Sequence, residues 1–498
     1  MRRPASRGVS RAAQLSPFLA VLIALARVAM AQNSEMPPTH HTFGAGGARL
    51  EYDAMFDTFP VVSPADATVT ATLTTIAYVR TDSIAVEAAR PILFAFNGGP
   101  GAPSIYLNVG MLGPLRVELP ADASTEGPGH YPLVANEHFI LDVADLVLID
   151  PAGTGFSRLG DDRGRDYFHS VTGDAETVAG VMNAWAVRHG RSGAPYYILG
   201  ESYGATRAVE VIARLARKPE AISRLQGVVL LSQSLPIIDT VQRRSNAMGQ
   251  AIGLPTIAAS AWYHKLAGRN EEMERFVQQA EAFGTNEWLP ALVAGRNLEG
   301  TRRRAVARRL SHFTGVPEKY LLEHDLYLSK DDFRRVALAD RGLVLGSDDT
   351  RYTRAASAGR DPSAWLAAAM FESAPALFKE QFGIQGPIDY RNLAEIADWI
   401  YVRPPFETTG GGTYLQIDYV EHLQRVMAEK PDLRVFVAGG WFDTKASAGA
   451  DEYLASRFGI DPRRVTARHY FGGHMFYTDP TARKQFARDL RAFLLARH

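Results

Sequence analysis

Five consecutive residues set the chemistry open to this chain. Gly200-Glu201-Ser202-Tyr203-Gly204 fits G-x-S-x-G, the pattern of a serine at a sharp strand-to-helix turn. Glycines suit the flanking positions because a side chain at either would crowd the helix or the preceding strand. A serine hydroxyl is inert near neutral pH and needs a general base, with a third group to orient that base. Two later segments supply those types in the order Ser, Asp, His: Gly439-Gly440-Trp441-Phe442-Asp443 and Phe471-Gly472-Gly473-His474. Alone, Asp443 reads as a turn or helix-cap aspartate and His474 as a loop histidine. Together, each behind an apolar strand, they make Ser202 a nucleophile, His474 its base and Asp443 the orienting acid. Charge developing on a substrate oxygen needs donors. Asn97-Gly98-Gly99-Pro100 offers the Gly99 N–H as one, and Tyr203, directly after the serine, offers its N–H as the other. The same glycines suit a tight turn, and one turn can serve both ends. Ser157, in Gly155-Phe156-Ser157-Arg158, lacks the second glycine and is set aside. His40, His41, His130, His138, His169 and His264 lack such a context, and no HExxH or paired ligand spacing occurs, so no metal is expected.

Elements must hold these residues at one edge. Tyr196-Tyr197-Ile198-Leu199 reads as a buried strand running into the serine. Behind it, Ala205 to Arg217 carries Val209, Ile212, Leu215 and Ala216 at helical spacing. Ala71 to Val79 reads as an antiparallel strand. Pro91 to Phe96, Leu146 to Ile149, Gly227 to Leu231, Leu433 to Ala438 and Arg464 to Phe471 read as further strands. Helices are expected at Asp174 to His189, Gln416 to Ala428 and Thr481 to Ala496. Short apolar runs ending in glycine-rich loops and separated by helices predict an α/β fold, a mostly parallel sheet with helices on both faces. Its ligands sit outside the strands' carboxyl ends. The rhythm breaks near Leu235, and helical stretches such as Asn270 to Phe283 and Gly300 to Phe313 follow, a helical cap insertion over the sheet edge. The layout is therefore residues 1–31 as an export signal, 32–234 and 406–498 as the two parts of the core, and 235–405 as the cap. Gln32 to Ala48, polar and glycine-rich, is expected to be loosely ordered.

Composition narrows the class. The 498 residues are 46% hydrophobic and 22% charged, and Lys+Arg and Asp+Glu are equal at 54, so no global field recruits nucleic acid or an anionic membrane. The absence of cysteine excludes disulfides, thiolate catalysis and cysteine-ligated metals. Arg2, Arg3, Arg7 and Arg11 precede an apolar run from Phe18 to Ala26, and Ala29-Met30-Ala31 offers a cleavage site before Gln32. Arg27 at the junction leaves an uncleaved anchor as the alternative. The expected mature protein is periplasmic or secreted, with no stable membrane association once the signal is cleaved. A homodimer fits the sequence as well as a monomer does.

The motifs resemble those of the serine carboxypeptidase family, which has an α/β-hydrolase fold. Phe96-Asn97-Gly98-Gly99-Pro100-Gly101-Ala102-Pro103-Ser104 is similar to its glycine-proline signature. Leu112-Gly113-Pro114, Asn136 and Asp150 to Ser157 are similar to further blocks, as are the serine pentapeptide and the segments around Asp443 and Gly473-His474-Met475. The resemblance covers roughly residues 50–235 and 410–498. It implies removal of single C-terminal residues from peptides through an acyl-enzyme, without a metal or cofactor. It also implies that Asn97, Gly98 and a protonated Glu201 bind the substrate's terminal carboxylate. A neutral acid can donate to a carboxylate where its pKa is raised. Tyr203 and Met475 flank the set and are expected to line the pocket, with core packing an equal reading for Met475. Three residues depart from the family pattern: Phe96 stands for a tryptophan, Ala102 for a cysteine, and Met111 for the second glutamate of the carboxylate-binding pair. The last favours an alternative, an esterase, amidase or acyltransferase on the same triad. A non-catalytic binding protein of this fold is the third reading.

Overall fold

A computed structural model describes residues 36–496 apart from 46–47, 83–89, 121–122, 124–128, 130, 237–238, 240–242, 393–398, 402–418 and 458. The signal segment 1–31 and residues 416–418 of the helix expected from Gln416 lie outside the described residues.

Nine strands make the path of the central sheet: β1 (Thr39–Ala45), β2 (Ala48–Val62), β3 (Thr70–Arg80), β4 (Ile92–Phe96), β5 (Asp145–Asp150), β6 (Tyr196–Glu201), β7 (Leu225–Leu231), β8 (Arg434–Gly440) and β9 (Val465–Tyr470). Their spatial order is β1-β2-β3-β5-β4-β6-β7-β8-β9, with the short strand Arg158–Leu159 beside β3. From β5 to β9 every pairing is parallel, while β1, β2 and β3 add an antiparallel wing. Every residue of β4, β5 and β6 is buried, the mark of strands covered on both faces. Helices Val171–Arg188, Tyr203–Leu215 and Tyr419–Glu429 bury Val178, Val209, Ile212 and Leu423 in one core with Phe94, Ile198 and Val228. Helix Pro480–Leu495 contributes Phe486, whose ring stacks on Phe436 of β8. The chain is an α/β-hydrolase fold, as the strand rhythm predicts.

The expectation of loose order from Gln32 to Ala48 is corrected over Thr39–Ala45 by β1, while residues 32–35 and 46–47 lie outside the described residues. Phe43 is buried in an aromatic cluster with Phe139, and half-buried His41 stacks on Tyr52 at 5.3 Å, so alternate positions pack rings on one face despite the polar composition.

Among the described residues between β7 and β8 the chain is mainly helical. Ala247–Tyr263, Met273–Phe283 and Gly300–Thr314 enclose a second core of Phe276, Phe283, Trp288 and Phe313. Phe442, from the loop after β8, belongs to this second core, so the insertion grips the segment that carries Asp443. One antiparallel pair, Leu343–Leu345 with Thr353–Ala355, interrupts the helices.

The serine turn leaves no room at its glycines. A Cβ on Gly200 would lie 2.0 Å from the Gly204 carbonyl oxygen, and one on Gly204 would lie 2.8 Å from that of Phe96. Gly200→Ala is therefore expected to lower stability by about 1–3 kcal/mol through overpacking, read as a fall in Tm with loss of serine labelling by a fluorophosphonate. A wild-type Tm would show that the turn has slack.

Candidate active site

Ser202 adopts φ 60° and ψ −127°, a left-handed conformation at the tip of the turn. Its N–H donates to the Leu231 carbonyl at 2.8 Å, and its carbonyl accepts from Ala205 at 2.9 Å. Ser157, by contrast, is buried and bonded to the Thr74 N–H and the Asp150 carbonyl, a structural serine.

Asp443 and His474, 31 residues apart, meet at the sheet edge: Nδ1 of the histidine lies 2.7 Å from Oδ2 of the aspartate. The Asp443 carboxylate is buried, and its Oδ1 accepts the N–H groups of Lys445 at 2.7 Å and Ala446 at 3.0 Å. With Nδ1–H directed at Asp443, the lone pair sits on Nε2, as a general base requires. Burial alone would push the His474 pKa down, but the charge and hydrogen bond of Asp443 outweigh it, and the net shift is upward.

The cap insertion holds the histidine loop from behind. The His474 N–H donates to the Asp348 carbonyl at 2.5 Å, and Ser232 Oγ donates to the His474 carbonyl at 2.7 Å. A Cβ on Gly473 would lie 2.1 Å from the Asp348 carbonyl oxygen, so only glycine permits the contact. Buried Arg351 locks this junction through Asp349 at 2.7 Å, Asp479 at 3.0 Å and the Phe471 carbonyl at 3.2 Å.

Asn97, Gly98 and Gly99 follow β4. A Cβ on Gly98 would lie 2.5 Å from both the Tyr203 nitrogen and the Glu201 carbonyl oxygen, so this turn's backbone meets the first turn of helix Tyr203–Leu215 directly. Gly99 has φ +103°, a conformation that favours glycine. Arg207, fully buried, ties the two pieces together: it donates to the Asn97 carbonyl, and its Nε donates to Asp174 at 2.7 Å. The guanidinium also lies 5.4 Å from the centre of the Phe96 ring, so the residue standing for a tryptophan keeps an aromatic contact. The Tyr203 hydroxyl donates to Asp174 at 3.1 Å, so that side chain faces inward while its N–H remains at the turn. Met475 is buried, directly after His474.

Glu201, 3% exposed, accepts from Asn97 Nδ2 on one oxygen and from the Tyr477 hydroxyl at 2.8 Å on the other. Burial pushes its pKa up to about 7, against the opposing pull of His474 and the Tyr477 hydrogen bond. Met111 is fully buried in the π-helical turn Asn108–Leu112. Asn136 donates to the carbonyls of Met111 and Gly113 at 2.7 and 2.8 Å, fixing that turn. Among the described residues no group of three or more His, Cys, Asp or Glu could hold a metal ion.

Residues 70–286 match the family model for serine carboxypeptidases. Over that stretch, less than half of its length, the chain is similar to the serine carboxypeptidase family. The match takes in Asn97, Gly98, Gly99, Glu201, Ser202 and Tyr203; Asp443 and His474 lie beyond it and enter through geometry. A solved structure of the same fold is Kex1Δp, a prohormone-processing carboxypeptidase from Saccharomyces cerevisiae, at 14% identity, TM-score 0.53, and coverage of 88% of this chain and 91% of that one. A proline iminopeptidase from Mycobacterium smegmatis also matches, at 14% identity and TM-score 0.33, over 92% of this chain and 97% of that one. The chain is a serine carboxypeptidase-type hydrolase whose substrate class is peptides. Among its described residues no helix is long and apolar enough to cross a membrane.

Sequence reasoning missed Tyr477, Asp348, Arg351 and the Asp174–Arg207 pair. Only the last left a trace, since Arg207 falls four residues after Tyr203 on the buried face of its helix. Arg351→Ala leaves Asp349 without its buried cation and is expected to cost about 3–5 kcal/mol of stability and to lower kcat more than KM. A variant that melts and turns over like wild type would detach the cap from the histidine loop.

Proposed function

We propose that this protein releases single residues from peptide C-termini through an acyl-enzyme. Ser202 attacks the last peptide carbonyl while His474 Nε2 takes its proton and passes it to the leaving amine. Asp443 holds the imidazole and stabilises its charged form. The N–H groups of Gly99 and Tyr203 receive the oxyanion, and water then repeats the sequence on the ester. Asn97, the Gly98 N–H and Glu201 hold the substrate's free carboxylate, and Met475 lines the pocket beside the histidine. The observation that carries this reading is the buried carboxyl of Glu201, directly before the nucleophile, pushed up to about 7 and bonded to Asn97. Below that pH the acid is neutral and can donate to a carboxylate; above it, like charges repel.

A second reading, esterase or amidase action on the same triad, is favoured by Met111, whose buried thioether cannot serve as a second acid. We also propose an exported protein, periplasmic or secreted, on the strength of the N-terminal signal pattern.

The test is the pH dependence of kcat/KM on an N-blocked dipeptide with a free C-terminus. Wild type is expected to lose activity as pH rises through about 7, where Glu201 ionises. Glu201→Gln, which cannot ionise, is expected to lose that alkaline limb. An unchanged limb in Glu201→Gln would assign it to another group and remove Glu201 from recognition.

A further inference from the structure

The two oxygens of Glu201 are distinguished by their partners. Oε2 takes Asn97 Nδ2, and the amide cannot turn over, because Asn97 Oδ1 accepts the Leu107 N–H at 2.9 Å. Oε1 takes the Tyr477 hydroxyl at 2.8 Å. Tyr477 is fully buried on the short turn Phe476–Thr478, three residues past His474, where Arg483 donates to its carbonyl at 3.2 Å. Its ring reaches Glu201 across Gly110, where a Cβ would lie 2.5 Å from Tyr477 Cε2. The next residue, Met111, is buried with no donor to offer. Burial, with the neighbouring Glu201 second, drives the Tyr477 phenol well above its ordinary range, so the hydroxyl keeps its proton and serves as a donor.

We propose that Tyr477 is a positioning residue for recognition of the substrate's free carboxylate. By donating to Oε1 it makes that oxygen the acceptor side of the acid. The proton of neutral Glu201 then resides on Oε2, beside Asn97, and is presented to the incoming carboxylate. Without this donor Oε1 is left buried and unpaired while Oε2 still accepts from Asn97, so the proton is no longer held on Oε2. The contact also ties recognition to the histidine loop, because Tyr477 and His474 share one short segment. This inference rests on the carboxypeptidase reading above.

Other ionisable groups act on Glu201: His474 and Asp443 of the triad, Asp348 of the cap, and Tyr106, whose phenol is itself raised by burial and by Glu201. The Tyr477 bond opposes the burial that raises Glu201, so its loss is expected to raise that acid further.

Tyr477→Phe removes one hydroxyl and keeps the ring. The test compares kcat/KM of wild type and variant on an N-blocked dipeptide acid and on its C-terminal amide, across pH, with fluorophosphonate labelling of Ser202 as a check on the triad. The variant is expected to lose roughly 10-fold more on the free acid than on the amide, mostly in KM, the size expected for a hydrogen bond to an ionisable group. Its alkaline limb on the acid is expected to move to higher pH. An equal loss on both substrates, with slowed labelling, would make Tyr477 a support of the histidine loop and overturn the proposal. An unchanged acid-to-amide ratio and alkaline limb would overturn it too, while a wild-type preference for the acid left the carboxypeptidase reading standing. Wild type indifferent to the free carboxylate would overturn both together.

Discussion

Holding Ser202 at φ 60° and ψ −127° is the constraint on which the rest of the structure depends. Such a conformation costs a non-glycine residue about 1–3 kcal/mol and persists only where its surroundings over-determine it. Here the Leu231 carbonyl fixes the serine from β7, and Gly200 and Gly204 let the helix settle onto the strand end. Gly98 brings the turn after β4 against the Tyr203 nitrogen. These contacts require β4, β6 and β7 to lie side by side with their carboxyl ends level, as the sheet order provides. The same order places β8 and β9 next in line, so their loops deliver Asp443 and His474 to the same edge.

Across the molecule, buried charge is handled in two ways. Asp145 has Arg90 and Arg191 at 2.8 and 2.6 Å, and Asp349 has Arg351 at 2.7 Å, so these carboxylates keep a cation beside them. Glu201 is given neutral donors instead, an amide and a phenol. Neutral donors favour the ionised form, yet the loss of water outweighs them and its pKa rises to about 7. A carboxyl poised between neutral and charged, one residue from Ser202, suits the proposed discrimination of a free carboxylate from an amide.

Most of the core was legible because its signals are local. The apolar runs Ile92 to Phe96 and Tyr196 to Leu199 read as buried strands, and the glycines beside Ser202 predicted a crowded turn. Asp443 and His474 were legible through their order and their place after strands. What escaped was set by contacts between distant segments. Tyr477 acquires its role only when its ring crosses Gly110 to reach Glu201, 276 residues away in sequence. Asp348 and Arg351 look like ordinary loop residues until the cap folds back on Gly473. Strand β1 was hidden by its histidines, since half-buried His41 packs by stacking on Tyr52 rather than by apolar character.

The most direct measurement is mass-spectrometric identification of products from an N-blocked dipeptide, offered as the free acid and as the C-terminal amide at mildly acidic pH, with Ser202→Ala beside the wild type. This account predicts a free amino acid released from the acid form in strong preference to the amide, and no release by Ser202→Ala. Equal cleavage of both forms, or turnover that survives in Ser202→Ala, would contradict it.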